Sequence, residues 1–195
     1  MTDQRVKSVE DRLPSDPRRW LILAGVWLLY TSFGLNVASL APLVTYVEVD
    51  LGISHSAMGA VLGVWQLVYI VAAIPCGILL DRAASRHVFT VGALLIAVSA
   101  LARSFAGTYG QLLLAVGVFG LGGPIVSAGA PKLVTEWFRG RERGLAMGIY
   151  ITGPGIGAVL ALSLTNSVFM PWFDGDWRLV LRFWSLLSLV AMIVW

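Results

Sequence analysis

Gly77-Ile78-Leu79-Leu80-Asp81-Arg82-Ala83-Ala84-Ser85-Arg86 is the stretch on which the reading of this chain turns. Its three charges stand between two apolar runs, about 56–80 before it and about 88–102 after it. A helix over 56–80 would be about 37 Å long, and bilayer hydrocarbon is about 30 Å thick. A short charged loop between two such runs reads as a turn at a membrane surface.

Working outward, the same alternation fills the chain. Further apolar runs cover about 20–47, 110–138, 144–170 and 177–195. Ser54 is placed to cap the second helix, and Asp176-Trp177-Arg178 opens the sixth. The prediction is an all-α membrane protein, a six-transmembrane-helix bundle at 20–195 behind a polar tail at 1–19. A signal peptide cleaved near Val37-Ala38-Ser39 is the competing reading of the first run. That run is too long for a signal core, and more spans follow it.

Composition agrees. Of 195 residues, 57% are hydrophobic and 13% charged, with mean hydropathy +0.80. A soluble domain has about 25% charged residues. One cysteine, Cys76, excludes a disulfide framework, and two distant histidines offer no metal cluster. No HExxH motif, nucleophile elbow or phosphate-binding Gly-Lys-Ser/Thr loop occurs. An enzyme is therefore not expected, nor a cofactor, a metal or a nucleic-acid partner.

The basic residues set the orientation. Arg5, Lys7, Arg12, Arg18, Arg19, Arg82, Arg86, Arg139, Arg141 and Arg143 fall on one side; Arg103, Arg178 and Arg182 fall on the other. The positive-inside rule places the first side, with the N-terminus, in the cytoplasm. In a bacterium that membrane is the inner one. Arg103 is read as part of a short turn, 103–109.

The Gly77–Arg86 stretch resembles the loop between spans two and three of the major facilitator superfamily, G-x-L-A-D-R-x-G-R-R/K. Gly77, Leu79, Asp81, Arg82 and Arg86 match; Leu80, Ala84 and Ser85 depart. The glutamate near the end of span four, Glu136, and the Arg143-Gly144 pair opening span five resemble the same family. The wording from Gly120 to Pro154 is similar to its cyanate-permease branch. The resemblance implies one half of a twelve-helix secondary carrier that moves a small solute, such as a cyanate- or nitrate-type anion, by alternating access. Spans one, two, four and five would line the pathway, and three and six would lie outside them. The partners would be the solute, the lipid bilayer and either a C-terminal six-helix half or a second copy. A homodimeric half-size carrier, a channel and a non-transporting scaffold are the alternatives.

Gly77, Asp81, Arg82, Arg86, Glu136 and Arg143 are the gating candidates. Gly77 would admit a neighbouring helix, Asp81 would meet helix N-terminal amides, and the arginines would pair with carboxylates. Polar and aromatic groups within the spans are the pathway candidates: Tyr30, Asn36, Trp65, Gln66, Tyr69, Lys132, Tyr150 and Thr152. Amides are costly against lipid, so Asn36 and Gln66 should point inward. Two readings stand for Lys132, an ion pair with Glu136 one turn on, or a cation that draws an anionic solute and exchanges partners. Glycine pairs 59/63, 117/120 and 144/148 are expected to pack helices closely.

Overall fold

The protein is described by a computed structural model covering residues 17–83 and 85–195. Most of the predicted tail, with Arg5, Lys7 and Arg12, and Ala84 of the loop lie outside the described residues. Among the described residues, six helices are long and apolar enough to cross a membrane. They are α1 (Arg18–Leu51), α2 (His55–Arg82), α3 (Ser85–Arg103), α4 (Tyr109–Trp137), α5 (Gly140–Trp172) and α6 (Trp177–Val194).

Local chemistry sets several of the ends. Ser54 accepts a hydrogen bond from the Ala57 amide (3.2 Å), and Thr108 accepts one from Gln111 (3.3 Å). Asp176 accepts from the Arg178 and Leu179 amides at 2.8 and 3.2 Å. Each satisfies a donor left open at a helix start. Two spans are irregular. α1 is helical over Arg18–Ala38, makes a 3-10 turn at Ala41–Leu43 and resumes over Val44–Leu51. The break falls just ahead of Pro42, whose ring disfavours helical backbone before it. α5 is α-helical over Gly140–Leu164, passes through a π-helical turn at Thr165–Phe169 and ends at Met170–Trp172.

α1 packs along α5, α4 lies between α2 and α3, and α6 closes against α3 and α1. The tightest seam joins α1 to α5. A Cβ at Gly157 would overlap the Thr31 carbonyl, and one at Gly34 would overlap the Pro154 backbone. On α4, a Cβ at Gly120 would stand 2.5 Å from the Trp65 carbonyl, and one at Gly122 would stand 2.8 Å from that of Gly92. The expected glycine pairs are met only in part within these six helices. Gly120 packs, but a Cβ at Gly59, Gly63, Gly144 or Gly148 would meet nothing within 4 Å. Spacing within one helix cannot say which face meets a neighbour.

The bundle has two ends. The near end holds the start of α1 and the α2–α3 and α4–α5 connections. The far end holds the α1–α2, α3–α4 and α5–α6 connections. A buried core fills the near half around Leu23, Val26, Phe89 and Ala130, and another fills the far half around Leu43, Met58, Leu112 and Trp184. α2 keeps a long apolar face uncovered, with Leu67, Ile70, Val71 and Ile74 all exposed.

Arg103 is the main departure from the sequence reading. It is the last residue of α3, and its side chain turns inward to full burial, at 2% exposure. Its Nη1 donates to the Asn36 carbonyl at 2.8 Å. That carbonyl belongs to the last turn before the break in α1, where carbonyls lack helical partners and the helix dipole favours a cation.

Candidate functional site

Two clusters of polar groups stand out, one within the bundle and one at its near end.

The inner cluster is built from α1, α2, α4 and α5. Tyr30 donates to the Ser127 carbonyl at 3.0 Å, and the Tyr69 hydroxyl lies 2.7 Å from Ser127 Oγ. Tyr150 meets Tyr30 edge to face, with centroids 5.2 Å apart. Phe33, Trp65 and Phe119 extend the wall, with Phe119 5.1 Å from Phe33 and 5.5 Å from Trp65. Across the α1–α5 seam, Trp27 Nε1 donates to Thr152 Oγ1 at 3.0 Å. The structure thus brings Tyr30, Trp65, Tyr69 and Tyr150 together and ties Thr152 to the same seam. Such a mixture of ring faces and hydroxyls can hold a small polar solute from several sides.

Two pathway candidates stand apart from this cluster. Asn36 points inward as expected, but toward α6: its Nδ2 donates to Ser188 Oγ and to the Ser32 carbonyl, both at 2.8 Å. Gln66 does not point into these six helices. It is exposed on the uncovered side of α2, and with its amide assigned by hydrogen bonding it donates to the Leu62 and Gly63 carbonyls of its own helix. An amide satisfied by its own backbone no longer needs the bundle interior.

The near-end cluster surrounds a cavity of about 820 Å³ between the ends of α1, α4 and α6 and the α2–α3 connection. Arg18, Arg86, Lys132 and Glu136 line it. Lys132 Nζ reaches across to α2, where it donates to the Leu80 carbonyl and lies 3.6 Å from Asp81 Oδ1. Its carboxylate partner is thus the aspartate of the loop motif. The Asp81 side chain is 83% exposed, so lone pairs remain open beyond this contact. Arg82 and Arg86 are exposed, and a Cβ at Gly77 would meet nothing within 4 Å. The close helix neighbour expected at Gly77 is absent among the described residues.

Sequence reasoning missed three residues here. Arg19 and Glu142 form a two-point pair joining α1 to α5, at 2.6 and 3.0 Å. Arg143, the candidate at that place, is exposed. The pairing carboxylate was visible only as one more charge in a charged loop. Ser127, which serves two tyrosines, carried no signal at all, since a serine within an apolar helix usually bonds to its own backbone.

Comparisons with known proteins agree with this architecture. A family model described as Major Facilitator Superfamily matches residues 26–195. The hexuronate transporter of Escherichia coli (strain K12) is 28% identical over 177 residues, 89% of this chain and 38% of that protein. The nitrate/nitrite transporter NrtP of Nostoc punctiforme is 24% identical over 183 residues, 91% of this chain and 36% of that protein. The fold matches a bacterial homologue of the human lysosomal transporter Spinster, solved inward-facing and occupied, with a TM-score of 0.80. That match covers 93% of this chain and 44% of the other, at 21% identity. The chain spans half or less of the curated relatives cited, and about a quarter to a half of the sugar-acid transporters it matches.

Proposed function

Since the chain belongs to the Major Facilitator Superfamily, we propose that it forms one six-helix half of a secondary carrier for a small anion, working by alternating access in a bacterial inner membrane. The observation that carries this reading is the inner cluster. Tyr30, Tyr69, Ser127 and Tyr150 converge from α1, α2, α4 and α5, the spans such a carrier turns toward its pathway. A second six-helix unit, continuous with this chain or a second copy of it, covers the open faces of α2 and α5. Gly59, Gly63, Gly77, Gly144 and Gly148 leave room there for its backbone.

An anion is favoured by charge. Among the described residues, Arg18, Arg86 and Lys132 line the near-end cavity with one carboxylate, Glu136, and Lys132 also meets Asp81 at its edge. Hexuronate and nitrate, named for two relatives, are both anions. A sugar acid comes first and nitrate or cyanate second, because sugar-acid transporters recur among the relatives. The near end faces the cytoplasm. Arg18, Arg19, Arg82, Arg86, Arg139, Arg141 and Arg143 gather there, against Arg103, Arg178 and Arg182 toward the far end. Asp81 acts as the latch, held by Lys132 in one state and by the second unit in the other.

The test is uptake of labelled hexuronate, galactonate, nitrate and cyanate by cells producing the protein from its full reading frame. Saturable uptake of one anion, competed by that anion unlabelled and lowered by Lys132→Ala, is expected. Uptake no greater than in cells lacking the protein, for every anion, would contradict the reading. Full uptake in Lys132→Ala would remove that residue from the pathway.

A further inference from the structure

Arg103 has no place in the latch or the inner cluster, yet it is among the most deeply buried charges of the molecule. Among the described residues, no carboxylate lies within ion-pair distance of it. Its guanidinium makes two directed contacts. Nη1 donates to the Asn36 carbonyl at 2.8 Å, and the charge sits over the Phe119 ring, 5.1 Å from its centroid. Nε is buried without a partner. A cation in such surroundings is costly. An uncharged side chain would carry no such cost, so the two contacts are what the charge provides.

Each contact leads to a part of the transport machinery. Asn36 is the last polar residue before α1 breaks, and Ser39 Oγ donates to the same Asn36 carbonyl at 3.2 Å. The Asn36 amide continues the network to Ser188 on α6, which Ser32 also reaches, at 2.8 Å. A loose break would let the outer piece of α1 swing against the inner piece. Phe119 is the member of the wall that both Phe33 and Trp65 touch. A cation over the Phe119 ring helps to hold that ring in place beside Phe33 and Trp65.

We propose that Arg103 is a positioning residue for transport. From outside the pathway, it fixes the break in α1 through the Asn36 carbonyl and the Phe33–Trp65–Phe119 wall through Phe119. The part concerning the wall rests on the transport reading above; the part concerning α1 does not.

The experiment separates the two. In a Cys76→Ser background, single cysteines replace Ala38, at the break, or Ala130, buried in the near half. Each is labelled in membranes with a permeant maleimide, with and without Arg103→Met or Arg103→Lys. Arg103→Met should speed labelling at Ala38→Cys about tenfold or more, as for a lost charge-assisted hydrogen bond, and leave Ala130→Cys unchanged. Arg103→Lys, which can still donate to the carbonyl, should keep most of the protection. Where the methionine variant does not accumulate, Arg103→Gln replaces it with the same expectation. No change at Ala38→Cys, or an equal rise at both sites, overturns the proposal. In uptake assays, Arg103→Met should raise KM severalfold with kcat nearly unchanged, because the wall binds the solute. A fall in kcat alone overturns the wall assignment. If the unsubstituted protein takes up no anion, the transport reading fails, and the labelling still decides the role of Arg103 at α1.

Discussion

The two ends of the bundle are held in different ways. At the far end, charges are directed at backbone or locked into short pairs. Arg178 pairs with Asp50 at 2.7 Å, donates twice to the Ala106 carbonyl at 3.0 and 3.2 Å, and lies over Trp177. Arg103 is buried against the Asn36 carbonyl, and Asn166 donates to the Pro42 carbonyl at 3.1 Å. At the near end, Lys132 of α4 donates to the Leu80 carbonyl of α2 and lies 3.6 Å from Asp81, whose carboxylate is almost fully exposed. A buried cation on the open carbonyls of a helix end, as at Arg103, is costly to withdraw. An exposed carboxylate can trade one cation for another at little cost, since such pairs contribute about 0–1 kcal/mol. On the mechanism proposed above, the far end would hold and the near end would switch.

The largest effect expected is along the seam that joins the ends. Gly157→Val drives side-chain atoms into the Thr31 carbonyl and should separate α1 from α5, at about 1–3 kcal/mol or more. Protein in the membrane, measured by immunoblot, should fall steeply, and a normal level would mean that the seam is looser than described. Next comes Arg178→Ala, which removes an ion pair and two hydrogen bonds at once. It should lower thermal stability in detergent by about 2 kcal/mol. A loss no greater than that of Lys132→Ala would erase the contrast between the ends. The smallest effect belongs to Glu142→Gln at the near end, where the carboxylate is 47% exposed. Its cost should stay below about 1 kcal/mol and shrink in high salt, read from melting curves at two ionic strengths. A large, salt-independent loss would make this pair part of the fixed framework.

Much of this was legible in the sequence, for a physical reason. Spans are set by the thickness of hydrocarbon, so a run such as 110–138 shows itself in composition alone. The loop at Asp81 could be read because its charges fall where a membrane protein must turn. What stayed hidden depends on which face of a helix meets which neighbour. Arg103 looked like a turn residue because nothing local says that its side chain folds back toward Asn36. Gly34 and Gly157 drew no notice, although they set the α1–α5 distance, because their partners are far away in the chain. Asn36 and Gln66 looked alike as amides within apolar runs, yet one joins two helices and the other bonds to its own.

The switching role of the near end is tested most directly by a double-mutant cycle on uptake rate. Asp81→Asn, Lys132→Gln and the double variant are compared at equal amounts of protein in the membrane. If the two side chains work as one exchangeable pair, each single variant slows uptake severalfold and the double variant is no slower than the worse single one. If the losses multiply, Asp81 and Lys132 act independently, and the near end is not the switch described here.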